Sequence, residues 1–422
     1  MNLTFSRENI GKGIFFSTVK DEKFKTNRIT VNLIVPLDKN MASENAIVPY
    51  ILRKGYRECS DFTELNKKLD ELYGAVVDAD IRKLGDSQIV SLSITALDDK
   101  FAIDNEPVAL KCSEILCKML LDPYLPDGNF DKTSVELEKQ FLIDSIEAQI
   151  NDKIVYAKNR CIELMCKDEP FGIDKYGCRE RVEKIDAEVA TKAYFNLIKR
   201  AQIEIMFIGG GDALMCRDMF IKYFDNIKRN DIYINEISDG NIPEKEKTVE
   251  EKMNINQAKL VFGFRLKALA EQTTALRVMI ALYGGTPFSK LFLNVRERLS
   301  LCYYCGASYD RIKNLMFVNC GVEEENYEKA KNEIISQLQS VKNGEFSDSE
   351  IENTVKSLAN SFYATTDSMS GVENWYLGQI FCKTSFSPAE EAEKLSAITK
   401  QDIMSAAQNV VLDTVYYLHS NN

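Results

Sequence analysis

The stretch Tyr283–Asp310 reads YGGTPFSKLFLNVRERLSLCYYCGASYD, a glycine turn followed by a helical pattern and then a strand pattern. Pro287 suits a first helical turn, and the helix is predicted to run from it to about Ser300. Residues from Leu301 to Ala307 alternate as a strand would. The helix is predicted to bury one apolar face, made of residues at helical spacing: Phe288, Leu291, Phe292, Val295 and Leu299.

A motif with defined spacing crosses this helix and strand: Ser289, Leu291, Phe292, Arg296, Glu297, Leu301 and Tyr303. It resembles the C-terminal halves of insulinase-type zinc peptidases, the pitrilysin-like inverzincins that include the mitochondrial processing peptidase. In that family the arginine and the tyrosine hold the substrate backbone and the tetrahedral intermediate. The resemblance implies catalytic roles for Arg296 and Tyr303 and substrate binding by Gly284, Gly285 and Ser289. The alternative is a helix-strand corner with a solvated arginine and a core tyrosine.

The composition is that of a globular protein. The 422 residues predict two or three domains, and 45% hydrophobic with 28% charged residues is ordinary for a soluble chain. A formal net charge of −11 without clustered Lys and Arg opposes a nucleic-acid partner. The sequence has neither a signal-peptide stretch nor a membrane-spanning one, so we expect a cytoplasmic protein without a membrane partner.

Metal and redox chemistry are limited by the supply of ligands. His419 is the single histidine, which excludes zinc sites built on several histidines of this chain. The eleven cysteines, an odd number without an export signal, are predicted to be reduced and buried. Cys302 and Cys305 form a C-x-x-C, but residues three apart on a regular strand face opposite sides of the sheet. We therefore expect neither a redox pair nor a shared metal ion there.

The zinc motif of the resembled family is absent. That motif, H-x-x-E-H, occupies the helix that precedes a K-G, here Lys54-Gly55. Aligning on that pair puts residues with no zinc-binding or water-activating role at the three motif positions: Ala46, Pro49 and Tyr50. The resemblance thus implies no cofactor in this chain, with zinc held by a partner.

Two further segments carry traces of the family. The third zinc ligand would be a glutamate on a long helix, where Glu136 or Glu138 stands as a positional relic or as part of a solvated helix face. The segment Glu169–Gly172 reads EPFG and resembles the family's H-P-[YF]-G with the histidine replaced. A carboxylate without the histidines makes no catalytic zinc site.

The domain organisation follows from composition and element order. Charge rises between Asp225 and Asn256, which is typical of a linker. We predict an N-terminal domain at 1–225, a linker at 226–256 and a C-terminal domain at 257–422. Both halves open with a strand and helices and close with a helix and a strand. The resemblance implies an α+β fold of two homologous domains, each a mostly antiparallel sheet with helices packed on one face.

The phrases PYILRKG from Pro49 and LDELYGA from Leu69 resemble the YmfF-type branch of the family most. That bacterial branch lacks the zinc motif, is associated with 5-aminopentanol modification of elongation factor P, and occurs beside an insulinase-type protein that keeps the motif. The resemblance implies a non-catalytic subunit of a peptidase heterodimer acting on a peptide or unfolded polypeptide, inactive alone. The alternatives are an inert scaffold, like the core proteins of respiratory complex III, and an unrelated activity.

Overall fold

The structure is a computed structural model that describes residues 3–233, 237, 240–267 and 272–420. The chain divides into two compact units, and neither unit is contiguous in sequence. The N-terminal unit comprises Met1–Glu147, Ile173–Glu236 and Ser368–Ser387. The C-terminal unit comprises Ala148–Gly172, Ile237–Asp367 and Pro388–Asn422. Each half of the chain therefore contributes one helical segment to the other unit. The predicted division into contiguous domains does not include this exchange.

The strands are, in chain order, β1 (Thr4–Gly11), β2 (Ile14–Lys20), β3 (Thr26–Pro36), β4 (Val76–Leu84), β5 (Ser87–Leu97), β6 (Gln202–Gly209), β7 (Lys247–Lys252), β8 (Ala258–Leu266), β9 (Cys302–Asp310), β10 (Leu315–Val322) and β11 (Val410–His419). The α-helices are α1 (Ala42–Leu52), α2 (Phe62–Glu71), α3 (Val108–Leu121), α4 (Lys132–Ala148), α5 (Lys153–Met165), α6 (Arg179–Val182), α7 (Ala187–Arg200), α8 (Ala213–Phe224), α9 (Thr273–Ile280), α10 (Tyr327–Lys342), α11 (Asp348–Ala364), α12 (Met369–Phe381), α13 (Pro388–Leu395) and α14 (Lys400–Gln408). Two π-helical segments, Ala281–Gly285 and Leu291–Arg298, follow α9.

Within the described residues each unit is built on one sheet. The N-terminal unit has six strands in the order β1-β2-β6-β3-β5-β4, and the C-terminal unit has five in the order β7-β11-β8-β10-β9. Pairing is antiparallel except between β2 and β6 and between β7 and β11. The predicted fold class, two α+β domains with mostly antiparallel sheets, is confirmed.

The strand β7 lies inside the stretch predicted as a linker. It pairs with Thr414–His419 of β11 at the edge of the C-terminal sheet. Its sequence, KTVEEK, is rich in charge because an edge strand has one side exposed to water, and charges there discourage pairing with other chains. In the sequence these charges are also typical of a linker. Because Lys247–Lys252 forms a strand, the linker prediction is wrong for these residues.

Helices cover both faces of each sheet, although unequally. In the N-terminal unit α1, α3, α7 and α8 pack over one face, and among the described helices only α12 packs on the other, against Ile34, Ile89 and Met206. In the C-terminal unit α9, α10 and α14 cover one face, and α5 covers the other against Val261 and Phe317. Central strands that are apolar at successive positions must be covered twice. The prediction of helices on one face therefore omits α5 and α12. Each of these helices packs in the unit formed mainly by the other half of the chain.

A buried ion cluster holds α12 in the N-terminal unit. Glu373 is 1% exposed and accepts hydrogen bonds from Arg28 Nε at 2.8 Å, Arg82 Nη2 at 2.9 Å and Thr30 Oγ1 at 3.0 Å. Asn374 of the same helix accepts a further bond from Arg82 Nη1 at 2.6 Å. The helix is therefore attached to the sheet by directed charge pairs as well as by apolar contacts.

The segment that follows α5 is held by a second such cluster. Glu169 accepts from Arg265 Nη2 at 2.6 Å and from Lys313 Nζ at 3.0 Å, and Arg265 Nε donates to Asp413 at 2.6 Å. All four side chains lie within the C-terminal unit and are largely buried. Glu169, at the position of the family's histidine in the EPFG segment, thus has a structural partner set.

No helix in the described part of the chain is both long and apolar enough to cross a membrane.

Candidate functional site

The helix that carries Arg296 is a π-helix over Leu291–Arg298, not the α-helix predicted from 287 to 300. The Leu299 N–H donates to the carbonyl of Asn294, five residues earlier, at 3.2 Å. Just beyond it, Ser300 has a positive φ of 49°, which turns the chain sharply from the helix into β9. The wider winding changes which residues share a face of the helix.

The predicted apolar face is only partly buried, because the helix begins later than predicted and is wound differently. Leu291 and Val295, four residues apart, remain on the inner side and are fully buried. Phe288 and Leu299 are rotated outward and are 57% and 42% exposed. The prediction that all five apolar residues share a buried face is therefore wrong at Phe288 and Leu299.

The glycine turn before the π-helix brings the backbone against β9. A Cβ at Gly284 would lie 2.7 Å from the backbone N of Ala307 and 2.7 Å from Leu291 Cδ1. Ser289 is buried, and its Oγ accepts a hydrogen bond from the Phe292 N–H at 3.4 Å. Of the three residues predicted to bind substrate, Gly284 and Ser289 therefore have packing and capping roles.

Gly284→Ala should lower the free energy of unfolding by about 1 to 3 kcal/mol, because the added methyl overpacks a rigid backbone contact. Gly285→Ala is the matched control, since Gly285 is exposed and the nearest atom to a Cβ there lies at 3.5 Å. That control should change stability by less than about 0.5 kcal/mol. Denaturant unfolding of the two variants checks the pair, and equal midpoints would contradict the assigned close contact.

A β-bulge places Tyr303 at the surface. Gly321 and Val322 are adjacent on β10, but their partners on β9, Tyr304 and Cys302, are two residues apart. Tyr303 is therefore the extra residue of the bulge and has no partner on β10. Tyr303 is 61% exposed. Its phenol is hydrogen-bonded to the Glu323 carboxylate, which raises the pKa of Tyr303 above its ordinary value. The alternative interpretation of Tyr303 as a core residue is therefore wrong.

Arg296 also projects from this corner. Its side chain is 42% exposed, with Nε 3.6 Å from Glu297 and the guanidinium 4.7 Å from the ring centre of Phe292. Both contacts come from the same helix, and the guanidinium is partly exposed to water. The structure thus places the side chains of Arg296 and Tyr303 on the exposed side of the corner between the π-helix and β9.

The bulge has a second consequence, because it corrects the expectation for the C-x-x-C. The extra residue reverses the alternation, and Cys302 and Cys305 now lie on the same face together with Cys320 of β10. Their three sulfur atoms lie within 4.8 Å of one another. Hydrogen bonds from the other two thiols lower the pKa of Cys302, and the positive charge of Arg296 acts in the same direction.

The other cysteines belong to no group of three or more described side chains spaced to share a metal ion. Burial raises the pKa of Cys112, Cys166 and Cys216 to about 12, so these groups stay protonated and unreactive, as the sequence predicts. Cys178 is exposed. The C-x-x-C and a third cysteine on the next strand are visible in the sequence, but the bulge that aligns them is not.

The positions of the lost zinc motif are filled by apolar packing. Ala46, Pro49 and Tyr50 all lie buried on α1. The Tyr50 ring packs edge-on against Phe141 of α4 at 5.0 Å. Burial, and then the neighbouring Tyr176, raises the pKa of Tyr50 well above its usual value, so its phenol stays neutral. These residues do not fit a catalytic zinc ion.

The two candidate relics of the third ligand differ in environment. Glu138 is buried and pairs with Lys54 Nζ at 2.9 Å, whereas Glu136 is exposed and pairs with Lys139 at 2.7 Å. Both carboxylates already have a lysine partner. The solvated-face interpretation holds for Glu136 alone.

The chain is similar in sequence to proteins of a known family. Residues 184–358 match the family model described as the peptidase M16 inactive domain. The probable inactive metalloprotease YmfF of Bacillus subtilis (strain 168) is 31% identical over 409 residues, covering 96% of each chain. The chain belongs to the M16 peptidase family. Because the zinc ligands are replaced at Ala46, Pro49 and Tyr50, it is an inactive homologue within it.

Solved structures share the fold of this M16 protein. A conserved protein from Enterococcus faecalis V583 matches with a TM-score of 0.90 at 22% identity, over 99% of both chains. The peptidase M16 inactive domain from Pseudomonas fluorescens matches with a TM-score of 0.78 at 15% identity, over 100% of this chain and 99% of that one. The periplasmic protease PqqL from Escherichia coli matches with a TM-score of 0.69 at 13% identity, over 99% of this M16 chain and 45% of its own.

Proposed function

We propose that this chain is the non-catalytic subunit of an M16-type peptidase heterodimer. A paralogue with an intact H-x-x-E-H motif would hold zinc and the general base, and Arg296 and Tyr303 would stabilise the oxyanion from this chain. The observation that carries the proposal is that both side chains are exposed at one corner, Arg296 at 42% and Tyr303 at 61%, although neither is needed by the core. A guanidinium and a phenol are suitable donors for a developing negative charge.

The backbone around these two residues is irregular in a way that supports a functional role. A π-helix, a positive φ at Ser300 and a β-bulge at Tyr303 follow one another between Leu291 and Tyr304. Each feature costs free energy relative to regular structure, and such features cluster at functional sites. The tight contact of Gly284 with β9 would keep this corner rigid, as fixed donors require.

The exposed apolar side chains beside the two donors support contact with another polypeptide. Phe288, Leu293 and Leu299 are all exposed on or next to the π-helix. Where such groups form a contiguous patch, they mark surfaces that bind protein or peptide.

The proposal is tested by mixing this chain with the zinc-motif-bearing M16 paralogue encoded in the same organism, with zinc and a fluorogenic unstructured peptide. We expect neither chain to cleave the peptide alone and the mixture to cleave it. If the zinc-bearing chain alone reaches the rate of the mixture, this chain is a scaffold, as the core proteins of respiratory complex III are. A link to elongation factor P modification, implied by the YmfF-type resemblance, is tested by the modification state of that factor when this chain is deleted.

A separate prediction concerns this chain in isolation. Saturating it with zinc should produce no peptide hydrolysis, because the motif positions offer no imidazole and no carboxylate to activate water. Hydrolysis is measured with the same fluorogenic peptide in the presence and absence of zinc. Zinc-dependent cleavage that survives further purification would contradict the assignment as a non-catalytic subunit.

A further inference from the structure

Three cysteines converge beside the Arg296 corner, and we refer to Cys302, Cys305 and Cys320 as the thiol cluster. Their sulfur atoms lie within 4.8 Å of one another, and no other group of three or more His, Cys, Asp or Glu side chains in the described part of the chain is spaced to share a metal ion. Cys305 and Cys320 are buried in the core of the C-terminal unit, whereas Cys302 is partly exposed. The cluster therefore has a closed side and an open side.

The fold builds this cluster at a cost to regular sheet geometry. Cys305 and Cys320 are direct cross-strand partners, and the bulge brings Cys302 to the same face. On the opposite face the ring of Tyr304 lies so close to Gly321 that a Cβ there would be 2.3 Å from Tyr304 Cε1. In a regular strand Cys302 would lie on the same face as Tyr304, away from Cys305. The bulge moves Cys302 to the other face.

We propose that the thiol cluster binds one thiophilic d10 cation, Zn²⁺ or Cu⁺, through three thiolates, with a further position open on the Cys302 side. Zn–S bonds of about 2.3 Å at tetrahedral angles separate sulfur atoms by about 3.8 Å, so side-chain adjustments of about 1 Å close the site. Soft thiolate ligands select these ions over Mg²⁺ and Ca²⁺. Each thiol releases its proton to solvent as its metal–sulfur bond forms, so no oxidant is needed.

The charges around the cluster suit a bound cation. Three thiolates with Zn²⁺ leave one net negative charge, which the nearby Arg296 guanidinium offsets. A disulfide would join only two of the three sulfur atoms, would require an oxidant and would leave the third without a role. The convergence of all three on one point therefore favours a metal ion. This site is separate from the family's catalytic zinc position on α1.

The test uses the full-length chain, reduced, metal-free and kept under anaerobic conditions. Addition of Co²⁺ as a spectroscopic substitute should produce a sulfur-to-cobalt charge-transfer band that saturates at one equivalent and disappears when Zn²⁺ displaces it. Cys302→Ser and Cys320→Ala should each abolish the band. They should weaken Zn²⁺ binding, measured against a chromogenic chelator, by more than the roughly 10- to 100-fold typical of losing an outer-shell partner.

The controls separate the cluster from other thiols and from misfolding. Cys178→Ser and Cys382→Ser remove thiols outside the cluster and should bind like the parent chain. Cys302→Ser changes a partly exposed side chain, so its circular dichroism and thermal midpoint without metal should match the parent. The proposal is overturned if the reduced parent binds none of Co²⁺, Zn²⁺ and Cu⁺, or if Cys302→Ser binds them with parental affinity. A Cys305–Cys320 disulfide, found by mass spectrometry in a chain that binds none of these metals when reduced, would also overturn it.

Discussion

Arg296→Ala and Tyr303→Phe should each lower the turnover of the heterodimer by roughly 100- to 1000-fold, the usual loss for one oxyanion donor. The reason is that charge develops on the carbonyl oxygen only in the transition state, where a fixed donor is worth most. We therefore expect kcat to fall while KM and the affinity between the two chains stay near parental values. Single-turnover and steady-state cleavage of the fluorogenic peptide measure both quantities.

Matched controls are present in the same unit. Arg298→Ala removes a guanidinium two residues along the π-helix whose side chain is 65% exposed. Tyr363→Phe removes an exposed phenol on α11. Both controls should retain turnover within about twofold, as surface changes away from special features do. If Arg296→Ala and Tyr303→Phe behave like these controls, the shared-site mechanism is wrong and the chain is a scaffold.

Glu373→Ala should destabilise the protein by roughly 3 to 5 kcal/mol, because it leaves the Arg28 and Arg82 charges without their buried partner. Glu373 also anchors α12 to the sheet of the N-terminal unit, so the loss should open that helix first. The denaturant midpoint measures the overall change, and hydrogen exchange of Met369–Phe381 measures the local one. Glu352→Ala, an exposed glutamate on α11, is the control. Equal midpoints for the two variants would contradict the anchoring role.

The same carboxylate makes stability depend on pH. Burial by itself would raise the pKa of Glu373, but Arg82 and Arg28 outweigh burial and leave the pKa below that of an ordinary glutamate. A lowered folded-state pKa means that the stabilisation is complete above the unfolded value, about 4.3, and is lost as the pH falls through the folded value. The stability difference between the parent and Glu373→Gln should therefore shrink as the pH is lowered below about 4. A difference that is constant down to pH 3 would exclude this linkage.

Local spacing in the sequence was sufficient for several conclusions about this protein. The absence of the zinc ligands follows from residue types at Ala46, Pro49 and Tyr50, and no folding can supply the missing donors. The motif order also carried the resemblance to the family, and that resemblance implied the α+β class and the mostly antiparallel sheets. Arg296 and Tyr303 are predicted as site residues because the spacing of their motif is a local property of the chain.

Only the tertiary structure decided which side chains meet. Phe288, in the turn before the π-helix, and Leu299, just after it, face outward. The bulge turns Tyr303 outward while bringing Cys302 to Cys305 and Cys320. Each irregularity adds a residue to a turn or to one strand, which shifts every periodic argument beyond it. The exchange of α5 and α12 between units depends likewise on sheet faces that are built from distant segments. Periodicity reports a residue's face only while the element stays regular, and contacts between packed elements determine where that regularity ends.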